Sequence, residues 1–475
     1  MKAYFENNSI AEVLEKCRDC YGDSPAVVTV KNGELFTRSF REMERDCAKF
    51  AARLKELGMR GKYVAIDAKN DYATVVAILG AMAGGAVAFP LNFDLPDDII
   101  ESAVTRLKPA LFFCHDENEE FAREMDFPEE LEFLTEEELT ELLDNENAPE
   151  FRDNSLTCDS PCLVLLTSGS TGEGKLVLQP HRQFNPGTLW WCERGLSACP
   201  LFHSFGFVLL MEFIGAGAPI MLSDVKHAAE NINLFKPANL MGVPAYLANI
   251  IKQQEAGRVN LECLKLVINS GAPSNPEVLQ RFKAMGVEVH DEYGATEMAR
   301  SLGRRIRGGD PAGSVGYVGR GGLVKIGDED EILVEKSHAL IEYIGNRAAT
   351  EAVFEGNYFR TGDKGKIVDG FLYITGRIKN IIILSNGENV SPETIENYFS
   401  AYGEIAEIIA KGGSDDIIEA HIFPGEDLPE TLQKIREIVA AYNKTVPAYY
   451  KIGKIVFRNE PFEKTPNGKI LRSRV

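Results

Sequence analysis

Hydroxyl, glycine and lysine side chains are concentrated between residues 167 and 175, directly after an apolar run. The segment reads Thr-Ser-Gly-Ser-Thr-Gly-Glu-Gly-Lys and ends at Lys175. Glycines let backbone N–H groups turn toward anionic oxygens, while hydroxyls add donors and the lysine adds a point charge. The apolar run at 162–166 predicts a buried strand that presents the loop at its carboxyl end. The composition therefore indicates a phosphate-binding loop.

Two other interpretations of this loop compete with a dedicated phosphate site. Gly169, Gly174 and Lys175 fit the first seven positions of the Walker A pattern, but the eighth position requires Ser or Thr and holds Leu176. A flexible Ser/Gly turn without a ligand is the second alternative, because such turns are common. The loop alone does not decide between phosphate binding and a plain turn.

Four further motifs follow the loop and give the chain a family resemblance. They are Tyr-Gly-Ala-Thr-Glu at 293–297, Tyr-Phe-Arg-Thr-Gly-Asp at 358–363, Gly-Arg-Ile-Lys-Asn at 376–380 and Pro-Asn-Gly-Lys at 466–469. In this order they resemble the AMP-forming adenylating superfamily of acyl-CoA synthetases, nonribosomal-peptide adenylation domains and luciferases. Each motif is weak alone, but five in the family's order are not expected by chance. One departure is Gly174, where the family usually has proline.

The resemblance implies a site for ATP and Mg²⁺. The residues that it places on the β- and γ-phosphates are Thr167, Ser168, Gly169, Ser170, Thr171, Gly172 and Lys175. The residues that it places around the rest of the nucleotide are Gly271 and Ala272 in the base pocket, Asp291 at the adenine amino group, Tyr293 against adenine, Thr296 at the α-phosphate, Asp363 at the ribose and Arg377 at ribose or phosphate. Gly294 is a further nucleotide-binding residue that the resemblance implies. Glu297 would ligate Mg²⁺, a hard cation that prefers carboxylate and phosphate oxygens.

The implied reaction is attack of a carboxylate on the α-phosphate of ATP, for which positioning and fixed positive charge supply most of the catalysis. Lys469 would bridge the two anions from a mobile carboxyl-terminal domain, and Lys379 would be the hinge about which that domain rotates before thiol transfer. Three of the residues that the resemblance assigns to the site also have a purely structural interpretation. Lys469 lies in an ordinary Pro-Asn-Gly turn, Tyr293 fits a core aromatic and Asp363 fits a turn-capping aspartate.

His203 bears on which acid is activated. It lies in the segment Pro-Leu-Phe-His-Ser-Phe-Gly at 200–206, which resembles the Phe-His motif of synthetases for acyl and aryl acids. Relatives that activate amino acids usually have Asp at this position, because a substrate ammonium needs a counter-charge. The alternative is a buried histidine bonded to the backbone. The resemblance therefore implies an acyl or aryl acid as substrate.

Composition limits the classes of partner. The chain has 475 residues with 44% hydrophobic and 26% charged residues, which is ordinary for a globular protein of two or more domains. The formal net charge of −20 disfavours nucleic-acid or anionic-membrane binding as the main role. Neither a signal-peptide pattern nor an apolar run long enough to span a bilayer stands out in the sequence, so we expect a cytoplasmic protein without a membrane span.

Two smaller clusters have competing interpretations. A basic cluster follows the Tyr293 motif and either receives coenzyme A phosphates or an acidic carrier protein, or is a solvated loop; its members are Arg300, Arg304, Arg305 and Arg307. Cys17 and Cys20 have CxxC spacing, but a second pair with zinc-site spacing is missing. Reduced thiols are the preferred interpretation of all nine cysteines, with a redox role for this pair as the alternative.

The apolar pattern predicts an α/β fold with mainly parallel sheets packed by helices. Candidate strands lie at 63–68, 110–114, 220–222 and 264–268, and Ser39 with Glu42 forms a capping box that begins a helix. The acidic stretch at 116–153 is interpreted as a surface excursion with short helices. A boundary at 378/379 divides a large amino-terminal domain, 1–378, from a small mobile α+β domain, 379–475, in which a helix is expected at 392–399 and a strand at 417–423.

Three functions remain open from the sequence. The first is an ATP-dependent acyl- or aryl-CoA synthetase with coenzyme A as co-substrate. The second is a stand-alone adenylation enzyme that loads the phosphopantetheine of a carrier protein. The third is a catalytically silent relative that acts as a binding module, which the joint presence of Lys469, Glu297 and Asp363 disfavours.

Overall fold

The computed structural model describes most of the chain. The described residues are 5, 7–31, 33–125, 127, 131–167, 174–187, 192–271, 276–298, 302–303, 310–311, 313–319, 323–385, 388–400, 402–413, 417–426, 428–464 and 470–475. Among these, no helix combines the length and the apolar character needed to cross a membrane.

The helices lie mainly between or over sheets. In chain order they are α1 (Ile10–Tyr21), α2 (Phe40–Glu56), α3 (Tyr72–Ala83), α4 (Asp97–Leu107), α5 (Glu119–Glu124), α6 (Glu136–Asp144), α7 (Ser204–Ala216), α8 (Ala228–Phe235), α9 (Pro244–Glu255), α10 (Pro276–Ala284), α11 (Arg347–Ala352), α12 (Pro392–Phe399) and α13 (Pro429–Thr445).

The strands alternate with these helices through most of the chain. In order they are β1 (Pro25–Lys31), β2 (Glu34–Ser39), β3 (Tyr63–Asp67), β4 (Val87–Leu91), β5 (Leu111–Cys114), β6 (Glu132–Thr135), β7 (Pro161–Leu166), β8 (Leu176–Pro180), β9 (Gly195–Ser197), β10 (Ile220–Leu222), β11 (Asn239–Gly242), β12 (Leu266–Asn269), β13 (Glu288–Asp291), β14 (Val324–Ile326), β15 (Glu331–Glu335), β16 (Glu342–Tyr343), β17 (Phe354–Glu355), β18 (Tyr358–Val368), β19 (Phe371–Arg377), β20 (Ile382–Ile383), β21 (Asn389–Val390), β22 (Ile405–Gly412), β23 (Ile418–Pro424) and β24 (Ile452–Phe457).

Two sheets of seven strands form the centre of the amino-terminal domain. The first sheet has the order β13-β12-β11-β9-β10-β1-β2 and is parallel except for the β1–β2 hairpin. The second sheet has the order β16-β8-β7-β4-β3-β5-β6, in which β8 is antiparallel to both β7 and β16 and the other neighbouring strands are parallel. These sheets confirm the α/β fold class with mainly parallel strands.

A third sheet is antiparallel and was not expected from the sequence. It contains β14, β15, β17, β18 and β19, and it brings the 358–363 and 376–380 motifs together at one end. Beyond it, β22, β23 and β24 form a separate sheet that packs with α12 and α13 around its own apolar core. The large amino-terminal and small carboxyl-terminal units therefore agree with the expected architecture.

The main core lies between the first two sheets, where α3 is buried on nearly every side. Of its twelve residues only Ala73 is not buried. At Gly80, an added Cβ would lie 2.9 Å from both the Cys47 carbonyl oxygen and the Phe50 ring. A helix that is apolar all round is expected in the interior, and here glycine allows α2 and α3 to approach closely.

Several local predictions are confirmed. Ser39 and Glu42 form the capping box of α2, and the predicted strands correspond to β3, β5, β10 and β12. The helix and strand expected beyond residue 379 correspond to α12 and β23.

The interpretation of 116–153 as a surface excursion was wrong in part. This stretch contains the expected short helices α5 and α6, but β6 within it pairs in parallel with β5 and completes one edge of the second sheet. Acidic residues flank β6, and an edge strand needs only one apolar face. The short alternation of apolar and polar residues in β6 was therefore overlooked.

Candidate functional site

The two ends of the predicted phosphate loop are held together by a hairpin. β7 and β8 pair antiparallel, and the Thr167 N–H donates to the Lys175 carbonyl (2.9 Å) while the Lys175 N–H donates to Thr167 Oγ1 (3.1 Å). The predicted ligands between these ends, Ser168, Gly169, Ser170, Thr171 and Gly172, lie outside the described residues. The hairpin therefore fixes the base of the loop.

Gly174 explains the departure from the family's proline. Its φ is +64°, and an added Cβ would lie 2.3 Å from the Thr167 carbonyl oxygen. Proline is restricted to φ near −65°, so it cannot adopt this backbone conformation. The chain closes its loop with a left-handed glycine at this position.

The 293–297 motif follows the edge strand β13 of the first sheet and is fastened to the second sheet. Gln179 of β8 donates its side-chain amide to the Thr296 carbonyl at 2.6 Å, and the Leu340 N–H donates to the Glu297 carbonyl at 2.7 Å. The motif therefore lies where two sheets meet, a common location for ligand sites in α/β proteins.

Asp291 and Gly271 lie beside this motif at the carboxyl ends of neighbouring strands. The Asn269 side-chain amide donates to Asp291 Oδ1 at 2.9 Å, as expected for residues paired across β12 and β13. Gly271 follows β12 with φ +87°, and Gly294 within the motif is exposed. Ala272 lies outside the described residues.

Asp363 joins the motif to the third sheet. It is only 4% exposed, and its Oδ2 accepts from the Tyr293 hydroxyl at 2.6 Å while its Oδ1 accepts from Arg377 Nε at 2.7 Å. Burial together with Asp363 raises the pKa of Tyr293, so the phenol stays protonated and donates. Sequence motifs separated by 70 residues thus meet at one carboxylate.

Glu297 and Lys175 meet around a tyrosine that the sequence analysis did not identify. Glu297 Oε1 accepts from the Tyr343 hydroxyl at 2.9 Å, and the Lys175 ammonium lies 4.1 Å from the centre of the Tyr343 ring. The segment 293–297 therefore contacts Asp363 at its first residue and Tyr343 at its last. One short segment connects the two halves of the candidate site.

The pKa of Lys379 is affected by charged side chains from both halves of the candidate site. Partial burial, Arg377 and Lys175 lower its pKa, while Asp363 and Glu297 oppose the shift. Charged groups from both halves of the candidate site therefore lie near enough to influence the Lys379 ammonium. The other predicted catalytic lysine, Lys469, lies outside the described residues.

His203 lies at the amino end of α7. Its Nδ1 accepts from the Phe205 N–H at 3.2 Å, which places the proton of the neutral ring on Nε2. The ring is therefore a neutral donor at Nε2 and supplies no negative counter-charge.

Asn70 holds the segment before His203, and it was also missed. Its side-chain amide donates to the carbonyls of Cys199 (3.1 Å) and Ser223 (2.8 Å), and its Oδ1 accepts from the Leu201 N–H (3.0 Å). Asn70 lies three residues beyond β3, so its position at the carboxyl end of a parallel strand was the available signal.

Other residues considered from the sequence contribute less. The basic cluster of Arg300, Arg304, Arg305 and Arg307 lies outside the described residues. Cys17 is buried and Cys20 exposed, and both are free thiols. Within the described part of the chain, no group of three or more His, Cys, Asp or Glu residues is arranged for a metal ion.

The donor set fits a nucleotide polyphosphate with a hard divalent cation. Lys175, Lys379 and Arg377 provide positive charge, and the carboxylates of Glu297 and Asp363 provide oxygen for a cation and for hydroxyl groups. Phosphates are bound by cations and hydroxyl donors, and Mg²⁺ commonly takes one or two carboxylates plus phosphate oxygens.

Comparison with known proteins agrees with this geometry. Family models described as AMP-binding enzyme and AMP-binding enzyme C-terminal domain match residues 14–338 and 379–475. A 2-succinylbenzoate–CoA ligase from Listeria monocytogenes is 27% identical over 92% of this chain and 93% of its own length.

Two solved structures have the same fold. An anthranilate CoA ligase in complex with anthranoyl-AMP superposes with a TM-score of 0.84 at 20% identity, covering 99% of this chain and 97% of the other. An O-succinylbenzoate coenzyme A synthetase from Bacillus subtilis in complex with ATP and magnesium gives 0.79 at 21% identity, covering 97% and 98%. With the first family model matching more than half of the chain, this protein belongs to the AMP-binding enzyme family.

Proposed function

We propose that this enzyme activates an acyl or aryl carboxylic acid with ATP, releases pyrophosphate, and transfers the acyl group from the adenylate to the thiol of coenzyme A. The observation that carries the proposal is the segment 293–297, which contacts Asp363 at one end and, through Tyr343, Lys175 at the other. The similar CoA ligases, one of them bound to an acyl-adenylate, support the same two-step reaction.

In the first step, a carboxylate oxygen of the acid bonds to the α-phosphorus and the bond to the bridging oxygen breaks, so that pyrophosphate leaves. Lys175 and the loop hydroxyls would hold the leaving phosphates, and Thr296 would contact the α-phosphate. A magnesium ion held by Glu297 would neutralise negative charge on the phosphate oxygens. Because two anions must approach, positive charge fixed in advance provides most of the stabilisation.

The nucleoside would lie along Tyr293, with Asp291 and Gly271 next to its adenine base. Asp363 would accept hydrogen bonds from the ribose hydroxyls. Its two carboxylate oxygens would then accept from these hydroxyls as well as from Tyr293 and Arg377. An ionised carboxylate suits this role because it accepts up to four hydrogen bonds. Arg377 would contact the ribose or the phosphate.

An acid without an ammonium group suits His203. The neutral ring donates at Nε2, which favours a carboxylate or an acyl carbonyl and provides no partner for a positive charge. The similar proteins named above act on 2-succinylbenzoate and anthranilate, both aromatic acids, which supports the aryl side of the proposal.

The second step requires the carboxyl-terminal domain to move. We place the boundary at 378/379 and the hinge at Lys379; the family model for the C-terminal domain, which begins at residue 379, supports this division. Lys469 would assist adenylation in one orientation and withdraw in the other. The thiolate then attacks the acyl carbonyl and AMP leaves.

The test is a product assay on the full chain with ATP, Mg²⁺, coenzyme A and a panel of aromatic and aliphatic acids. We expect AMP, pyrophosphate and an acyl-CoA in equal amounts for at least one acid. Adenylate and pyrophosphate without acyl-CoA, followed by loading of a phosphopantetheine-bearing carrier protein, would replace coenzyme A by the carrier as acceptor. An absence of acid-dependent pyrophosphate release across the panel would contradict the proposal.

A further inference from the structure

Tyr343 lies between two residues that are assigned to the phosphates and the metal. Its hydroxyl donates to Glu297 Oε1 at 2.9 Å, and its ring carries the Lys175 ammonium at 4.1 Å from the centroid. The side chain is 3% exposed. One buried tyrosine therefore contacts a carboxylate with its polar end and a cation with its aromatic face.

The backbone fixes this tyrosine in place. β16 pairs antiparallel with β8, with Tyr343 opposite Val177, two residues beyond Lys175. The Tyr343 N–H donates to Thr350 Oγ1 at 2.9 Å, and the Leu340 N–H fastens the same segment to the Glu297 carbonyl. Tyr343 thus lies in a strand paired with β8, Lys175 directly precedes β8, and Glu297 is tied to the Tyr343 segment through its backbone carbonyl.

We propose that Tyr343 is a positioning residue that orients Glu297 for the magnesium ion through its hydroxyl and holds Lys175 for the phosphates through its ring. The inference rests on the proposed function of Glu297 and Lys175. Hydrogen bonds from neighbouring side chains commonly orient metal-ligating carboxylates, and aromatic faces attract lysine ammonium groups.

The two contacts can be separated by substitution. Tyr343→Phe removes the hydroxyl that reaches Glu297 and keeps the ring beneath Lys175. Tyr343→Leu removes both. The hydroxyl effect is predicted to require the metal, whereas the ring effect is predicted to be present with ATP alone.

The experiment is calorimetric titration of ATP into the full chain, once with excess Mg²⁺ and once with EDTA. We expect Tyr343→Phe to lower the gain in ATP affinity that Mg²⁺ provides by about 10-fold, as for partners of metal ligands in general, and to leave the affinity in EDTA unchanged. Tyr343→Leu should weaken binding in EDTA as well.

A matched control is available in the same domain. Tyr72 is also buried, and its hydroxyl also donates to a carboxylate, Asp46, at 2.7 Å, outside the contacts that form the site. Tyr72→Phe should leave ATP affinity unchanged in both titrations. Thermal unfolding of each ligand-free variant shows whether the fold is retained.

A double variant tests whether Tyr343 acts through Glu297. Adding Tyr343→Phe to Glu297→Gln should cause no further loss of the Mg²⁺-dependent gain, because the carboxylate to be oriented is already gone. An additive loss would overturn the inference, as would a Tyr343→Phe variant that keeps the full gain or loses affinity equally in EDTA. A Glu297→Gln variant that keeps the full gain would instead contradict the metal assignment in the proposed function.

Discussion

Two clusters of ionisable side chains lie in the amino-terminal domain, and they differ in how their charges are satisfied. At the proposed nucleotide site, Lys175 is exposed and the Arg377 side chain is 48% exposed. In the second cluster, His115 and Asp67 are 2% and 1% exposed. The cations of the first cluster are accessible to solvent, whereas His115 and Asp67 are buried. We call the second group, formed by Asp67, Asp71, His115 and Asn118, the closed cluster.

The charges of the second, closed cluster are paired within the cluster. His115 Nδ1 lies 3.1 Å from Asp67 Oδ2, His115 Nε2 lies 2.8 Å from Asp71 Oδ2, and the Asn118 amide donates to Asp67 at 2.8 Å. Although burial opposes it, these carboxylates raise the pKa of His115 to about 10. Perturbed titration alone therefore does not mark a functional site; cations that remain accessible to a ligand do.

The largest effect is expected at Lys469. Lys469→Ala should lower ATP–pyrophosphate exchange by about 10²- to 10³-fold, by analogy with loss of one transition-state donor, and should spare thioester formation from supplied acyl-AMP. Lys379→Pro should do the reverse, because a rigid hinge blocks the second orientation. Exchange at the wild-type rate in Lys469→Ala would remove this lysine from the mechanism.

In the closed cluster, stability is expected to change in place of activity. His115→Gln should lower the free energy of unfolding by about 3 kcal/mol, because the buried Asp67 and the partly buried Asp71 lose their cation. Urea unfolding measures this, and the KM for ATP should stay unchanged. A raised KM with unchanged stability would make this cluster part of the site.

The same histidine predicts a pH dependence. Its folded-state pKa of about 10 lies above the unfolded value of about 6.5. Its stabilisation is therefore complete below the lower value and is lost as the pH rises through the higher one. Wild-type stability should fall between these limits more steeply than that of His115→Gln; parallel curves would contradict the assignment.

Asp363→Asn should weaken ATP binding by about 2 kcal/mol, the size typical of a hydrogen bond to a charged group, since the ribose and Arg377 both lose an ionised acceptor. Calorimetry with ATP measures the loss, and asparagine keeps the shape of the side chain. An affinity equal to wild type would show that the ribose does not bind there.

The smallest effect is expected at Asn70, which touches no predicted ligand. Asn70→Ala should raise the KM for the acid several-fold, because about 1 kcal/mol is lost with each hydrogen bond that holds the segment before His203. Asn443→Ala is the control, since Asn443 makes a similar pair of bonds to Ile452 in the carboxyl-terminal domain. Equal effects of the two variants on the acid KM would make Asn70 merely structural.

Sequence reasoning reached the features that are encoded locally. The capping box at Ser39, the apolar strands of the two seven-stranded sheets and the motif segments depend on residues near each other in the chain. The antiparallel third sheet and the pairing of β16 with β8 depend on partners far apart, which no local periodicity reports.

The two missed site residues illustrate this limit. Tyr343 contacts Glu297 46 positions away, and Asn70 contacts Cys199 129 positions away. Neither belongs to the motifs that carried the family resemblance. Their contacts follow from packing between sheets and became visible only with the fold.

The most direct test of the account is a crystal structure of the full chain with AMP and the acid that it turns over. We expect one nucleotide with adenine against Tyr293, ribose hydroxyls on Asp363 and phosphate beside Thr296, with the acid close to His203. AMP bound elsewhere, with Tyr293 and Asp363 still bonded only to protein, would contradict the central claim that these segments form one adenylation site.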